Sequence, residues 1–238
     1  GWQGLVGKKS CAVKPTEDSK DNEFGLMTEK LREAGYKVFF VNWESSPKKT
    51  ARIEESADCI KHQLDQLPTS VRGKQRVFIA HSMGGLVARR YIEKHTPDRA
   101  STTDRLITFG SPHLGVTDQG SLSRLFSLLR PGKGLDCSED PGTCQLSLEY
   151  VQEIFNPLNP VRLGMRYDLI AGTGSWTVTS KFFRNENDGL IDVGSAVGIL
   201  KGRTSDTHRA WRVRDTHTSG TGKAAPYADG SDSRLCLE

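Results

Sequence analysis

Residues 75–95 carry a pattern that few folds accommodate: a short apolar run, a turn of small residues around a serine, then an amphipathic helix. The stretch reads Val77-Phe78-Ile79-Ala80-His81-Ser82-Met83-Gly84-Gly85-Leu86-Val87. Within the run 75–80, Val77 to Ala80 are apolar on successive residues, as in a strand buried on both faces. From Gly84 to His95 the apolar positions Leu86, Ala88, Tyr91 and Ile92 share a helical face, and Pro97 lies beyond its end. Between them the chain must reverse direction in very few residues. Small residues at Ala80 and Gly84 allow this, because bulkier side chains would strike the neighbouring strand or helix. Ser82 is then held out at the end of a strand, near a helix N-terminus whose dipole favours developing negative charge. The plain alternative is an ordinary serine in a glycine-rich turn; the strand before and the helix after favour the nucleophile.

The rest of the chain repeats the same alternation. Residues 21–34 predict a helix, with Phe24, Met27 and Leu31 on one face and Gly35 as a stop. Residues 37–43 predict a buried strand. Residues 50–67 predict a second helix with Ile53, Ala57, Ile60 and Leu64 inward, ended by Pro68. Further strands are expected at 105–109, 167–171 and 210–215. Alternating strands and helices with short connections imply an α/β fold, a mostly parallel sheet with helices on both faces. Its core spans 1–115 and 166–217. The intervening 116–165 changes character: it holds Gly, Pro, Ser and two close cysteines but no strand pattern, and reads as a lid or cap insertion. Within it, 122–129 forms an amphipathic piece and 146–155 a second helix. The C-terminal tail 218–238 is polar and turn-rich, and is expected to be poorly ordered.

With 238 residues, one α/β domain has room for a sizeable core. Thirty-three Lys and Arg against 29 Asp and Glu leave a net charge of +4 without any basic run, which argues against a nucleic-acid partner. No apolar stretch approaches the roughly 20 residues of a transmembrane helix. The chain opens at Gly1-Trp2-Gln3-Gly4 with no initiator Met, and reads as a fragment or processed form. Of the five cysteines, Cys137 and Cys144 flank a Pro-Gly turn. They are spaced to close a disulfide loop, which would fit a secreted protein; free thiols are the alternative.

The elbow around Ser82, together with Phe109-Gly110-Ser111-Pro112-His113-Leu114-Gly115 one βα unit later, resembles the microbial lipases and esterases of the α/β-hydrolase class. Many of these carry G-[ST]-P-H-x-G at this place, followed by a lid. Gly1-Trp2-Gln3-Gly4 is similar to the second half of their His-Gly-x-x-Gly oxyanion loop. Ala80 stands where the commoner motif has Gly, as in lipases resembling those of Bacillus. The strand that normally precedes the oxyanion loop is missing before Gly1.

A serine hydroxyl needs a base, and the base an orienting acid; in this class they follow the serine in the order acid, then His. Asn187-Asp188-Gly189-Leu190-Ile191 resembles the N-D-G-[LV]-V turn that carries the acid in similar lipases, so Asp188 is the candidate, with Asp192 next and a plain surface turn as the bland alternative. Of six histidines, His62 and His95 sit on upstream helices, His81 inside the elbow is expected to point away from Ser82, and His113 is structural in similar enzymes. His208 and His217 lie downstream of Asp188. His217, on the loop after the last strand, is preferred as base. The backbone N–H of Met83 is the expected oxyanion donor, and by resemblance that of Trp2 is the second. Some lipases of this type bind calcium through an Asp two residues after the histidine; that place is Ser219 here, so no metal is expected, and no cofactor is implied.

The expected activity is carboxylic-ester hydrolysis through an acyl-enzyme on Ser82, by an esterase or triacylglycerol lipase. An acyltransferase or thioesterase on the same three residues, or a non-catalytic binding domain, are the alternatives. The expected partner is a small-molecule ester or lipid, with transient contact at a lipid interface through 122–129, or else that piece packs permanently on the sheet.

Overall fold

The computed structural model describes residues 11, 15, 17, 24–41, 51–96, 103–116, 134–162, 164–174, 185–201 and 206–217. Four strands, β1 (Arg76–His81), β2 (Thr103–Phe109), β3 (Arg166–Gly172) and β4 (His208–Val213), form one sheet in that spatial order. Every neighbouring pair is parallel. Parallel neighbours in sequential order need crossovers of one hand, which put the connecting helices on one face of the sheet.

That face is covered by α2 (Ile53–Asp65) and, after the short α3 (Thr69–Arg72), by α4 (Gly84–His95), with the short helix Val193–Val197 over β3 and β4. Leu106, Tyr167, Leu169 and Ala171 from the strands meet Ile53, Ile60, Leu86, Val87, Ile92, Val193 and Ala196 from the helices in the main core. The opposite face is covered by α1 (Gly25–Glu33): Phe24 and Met27 pack near Ile79, Ile107, Phe109, Ile170 and Trp211. Strand alternation sorts the residues, Leu106 and Leu169 to one side, Ile107 and Ile170 to the other.

Local sequence explains most boundaries. In α2 all four expected inward positions, Ile53, Ala57, Ile60 and Leu64, are buried. Its first turn is held by Glu55 Oε2, which accepts from the Arg52 amide at 3.1 Å, and by Gln145 Oε1, which accepts from the Ile53 amide at 2.7 Å. The structure departs from expectation at residues 36–41, where Phe40 makes a bridge in place of a ladder. Phe39 and Val41 nonetheless pack against the main core, so the apolar run reflects burial more than strand pairing.

The stretch 134–162 is anchored in the main core through Leu146, Val151 and Phe155. Its expected helix is wound as a π-helix over Tyr150–Phe155. Arg89 of α4 donates to Asn156 Oδ1 at 2.9 Å and lies over the Phe155 ring, 5.1 Å from its centroid. Arg162 donates to Glu93 at 2.7 Å and to the Thr96 carbonyl at 3.0 Å. Cys137 and Cys144 are joined in a disulfide, and a second joins Cys11 to Cys59 of α2. The expected amphipathic piece at 122–129, the tail 218–238 and Cys236 lie outside the described residues.

On the α1 face the sheet buries a charge. Asp168 of β3, its side chain 6% exposed, accepts from Arg105 of β2, from Arg209 Nε of β4 at 2.8 Å and from Trp211 Nε1 at 3.4 Å. Burial pushes its carboxyl pKa up, but the Arg105 hydrogen bond and charge, with Trp211 and Arg209, outweigh this and hold it below the usual value. The folded state thus favours the carboxylate. The stability it contributes is present above about pH 4 and is lost as the pH falls through the lower folded-state value. Asp168→Asn is expected to destabilise the fold by roughly 2 kcal/mol at neutral pH, because two arginines lose their shared partner. Urea unfolding of both proteins at pH 7 and pH 3 should show the difference shrink in acid; a constant difference would count against the ion cluster.

Candidate functional site

The site is assembled at the C-terminal end of the parallel strands. β1 ends at His81, and Ser82 follows with φ 54°, the one non-glycine residue with positive φ among the described residues. That conformation crowds a Cβ and persists only where neighbours hold it. The Ser82 amide donates to the Phe109 carbonyl of β2 at 3.0 Å, extending the ladder one residue past β1, and the Ser82 carbonyl accepts from the Gly85 amide at 3.1 Å. Helix α4 then starts at once, with the Met83 amide ahead of its first bonded turn. Gly85 permits the approach of helix and sheet: a Cβ there would fall 2.3 Å from Ser111 Oγ and 3.0 Å from Thr108 Cγ2. The sequence points to Ala80 and Gly84 as the small residues of the turn; the structure adds Gly85, packed against Ser111 and Thr108.

Asp188 is held by the turn that bears it. Asn187 Oδ1 accepts from the Gly189 amide at 2.8 Å, and Gly189 has φ 99°, which a glycine adopts without strain. Asp188 Oδ1 accepts from the amides of Leu190 at 3.1 Å and Ile191 at 2.8 Å. One carboxylate oxygen is thereby fixed, and the other is directed at His217. Beyond β4 the chain is bonded to the end of β3: the Thr173 amide donates to the Val213 carbonyl and the Gly174 amide to that of Asp215, both at 2.8 Å. Two residues later comes His217.

The three side chains meet. His217 Nδ1 lies 2.7 Å from Asp188 Oδ2, and His217 Nε2 lies 3.0 Å from Ser82 Oγ. A carboxylate only accepts, so with a neutral ring the proton sits on Nδ1, and Nε2 offers its lone pair to the Ser82 hydroxyl, which donates. The side chains of His217 and Asp188 are 3% and 1% exposed. The arrangement can take a proton from Ser82 and hold the resulting imidazolium against a carboxylate.

The other named residues stand elsewhere. His208 pairs with Tyr167 at the start of β3, whereas His81 aligns through Phe109 and Ile170 with Trp211, so His208 is near the far end of the strands. It stacks on the Tyr167 ring at 5.5 Å. The Asp192 backbone bridges to Asn187 and precedes the helix Val193–Val197. His113 is buried with Nε2 3.0 Å from Thr108 Oγ1, and its carbonyl accepts from Asn156 Nδ2 at 3.0 Å. Trp2 lies outside the described residues. His81, expected to point away from Ser82, has its Nε2 3.0 Å from the His217 carbonyl oxygen. Adjacency to Ser82 was its one sequence signal. Gly142, within the disulfide-closed turn, lies against Ala51 and the Met83 side chain, which brings residues 137–144 beside the elbow.

His81 and His113 are both held neutral. Burial lowers each imidazole well below its ordinary value, helped by His217 beside His81 and by Arg89 beside His113. With folded values depressed, the unfolded chain takes up more protons in acid, so their contribution is present above about pH 6.5 and lost below it. The melting temperature is expected to fall as the pH drops from 7.5 to 5, and to fall less in His113→Asn. Identical slopes in the two proteins would show that His113 does not carry the effect.

The sequence profile described as palmitoyl protein thioesterase matches residues 6–158, more than half of the chain. No curated protein sequence matches. Among solved structures, the mature form of a Bacillus licheniformis lipase is similar with a TM-score of 0.57 and 17% identity, covering 89% of each chain. A Paleococcus ferrophilus monoacylglycerol lipase reaches 0.51 at 15% identity, covering 80% of this chain and 78% of that one. A Legionella pneumophila phospholipase reaches 0.57 at 16% identity, with 77% of this chain on 44% of that one. At these identities the likeness is one of fold.

Proposed function

The chain belongs to the palmitoyl protein thioesterase family, within the α/β-hydrolase superfamily, and from that premise we propose that it is a serine acyl hydrolase working through an acyl-enzyme on Ser82. The observation that carries this reading is the hydrogen-bonded series Ser82–His217–Asp188 at the end of a parallel sheet. His217 takes the Ser82 proton as Oγ attacks the acyl carbonyl, and Asp188 keeps the ring oriented and balances its charge. The tetrahedral oxyanion is held by the Met83 amide at the start of α4, with the Trp2 amide as the second donor. His217 then returns the proton to the leaving group. Water, activated by the same histidine, releases the acid.

The substrate is an acyl ester, an oxyester in the first reading. The family profile favours a thioester as the second reading, since the chemistry at the carbonyl is the same and the leaving group differs. A thiolate leaves with less help from an acid than an alkoxide does, because thiols have pKa values near 8.5. The segment 116–165 is the proposed cover of the site. Its described part offers Ile154 and Leu158, 49% and 60% exposed, to a lipid-borne substrate. Two disulfides are compatible with work in an oxidising compartment.

Ser82→Ala is expected to lower hydrolysis of a short-chain nitrophenyl ester by about 10⁴-fold or more with the fold intact by circular dichroism. His217→Ala should act alike, whereas His208→Ala should leave most activity; loss with His208→Ala alone would move the base. A paired assay of an oxyester and a thioester sharing one acyl chain separates the two substrate readings. Higher kcat/KM for the thioester supports the family-based reading, and higher kcat/KM for the oxyester supports the first.

A further inference from the structure

The residue before the nucleophile is coupled to the residue that serves it. His81 Nε2 lies 3.0 Å from the backbone oxygen of His217, and the two rings pack with centroids 4.6 Å apart at 40°. A carbonyl only accepts, so this contact requires the proton of the His81 ring on Nε2. At the other side of His217, its amide donates to the Asp188 carbonyl at 2.7 Å. His217 is thus fixed at its N–H by Asp188, at its C=O by His81 and at its ring by the Asp188 carboxylate.

We propose that His81 is a positioning residue: its Nε2–H bond to the His217 carbonyl ties the base loop to the nucleophile elbow and keeps His217 Nε2 within reach of Ser82 Oγ. The inference rests on the proposed roles of Ser82 and His217. The physical reason is reach and direction. His81 closes β1 and Ser82 opens the turn, so a bond from His81 references the His217 backbone to the strand that places the nucleophile. The loop between Val213 and His217 is also tied to β3 and to the acid turn, neither of which carries the serine. A shift of the base by about 1 Å costs on the order of 100-fold in rate, so a bond that fixes this one distance acts on kcat. A buried ring that stays neutral suits the place. When His217 becomes an imidazolium during turnover, a charged ring at 4.6 Å would oppose it, and a neutral donor does not.

Three proteins test this: wild type, His81→Leu, which keeps bulk and loses the donor, and His81→Gln, whose amide can place a donor near the imidazole Nε2. In His81→Leu, kcat on a short-chain nitrophenyl ester is expected to fall about 30-fold with KM within about twofold, and His81→Gln is expected to recover to within about fivefold of wild type. Unchanged kcat in His81→Leu overturns the proposal, as does equal loss in both variants alongside equal loss of melting temperature, which marks a merely structural role. A second measurement needs no variant: nitrogen NMR of the wild-type imidazoles at pH 7 is expected to show His81 as the neutral Nε2–H tautomer. An Nδ1–H tautomer, which leaves no donor on Nε2, overturns the proposal even where His81→Leu fails to fold. Failure of the underlying reading has its own signature: wild type that a phosphonate ester does not label at Ser82 removes the proposed function, whereas labelled wild type with an indifferent His81→Leu removes this inference alone.

Discussion

The hydrogen bond from the Ser82 amide to the Phe109 carbonyl carries the parallel ladder of β1 and β2 one residue past the strand, into a backbone conformation that a serine seldom adopts. With φ at 54° the chain turns sharply, and α4 can begin at Gly84, with only Met83 between it and the serine. The turn is possible because α4 sits tightly on the sheet at Gly85, where Ser111 and Thr108 leave no room for a side chain. Site and fold are therefore one construction. The contact that packs helix on sheet also holds the serine out, and the strain at Ser82 is borne by the ladder and the core beneath it.

The remaining parts are fixed relative to that turn by hydrogen bonds between loops. Asn187 and Gly189 form a turn that spends one oxygen of Asp188 on backbone amides and aims the other at His217. The ends of β3 and β4 run bonded together past Val213, which brings His217 back over the sheet. The described polar groups of these turns are bonded to one another, which holds the three side chains together before any substrate arrives. The bonds from Arg89 of α4 to Asn156, and from Arg162 back to Glu93 and Thr96, hold the segment 134–162, whose Gly142 lies against Met83 beside the elbow.

Much of this was legible in the chain. The strands expected at 75–80, 105–109 and 167–171 fall on β1, β2 and β3, and the helix expected from Gly84 to His95 has those bounds. Periodicity succeeds there because each segment buries a face that its spacing alone determines. It fails at 37–43, where an apolar run marks burial of Phe39 and Val41 without a continuous ladder among the described residues. At 146–155 the spacing indicated a helix but not its wider π winding. Asp168 gave no signal at all: one acid in an apolar strand looks misplaced until Arg105, Arg209 and Trp211 arrive from neighbouring strands.

The sequence by itself determined the order of elements, the serine turn and the Asn-Asp-Gly turn, because these follow from short-range geometry and residue chemistry; the expected order of serine, acid and histidine is what the resemblance implies. The tertiary structure decided what depends on distance. It placed His217 and not His208 beside Ser82, since strand register puts the two histidines at opposite ends of the sheet. It turned His81 from a chain neighbour of Ser82 into a partner of the His217 backbone across a separation of 136 residues. No local rule encodes such a contact, because it exists only once parallel pairing has brought the ends of β1 and β4 to one edge.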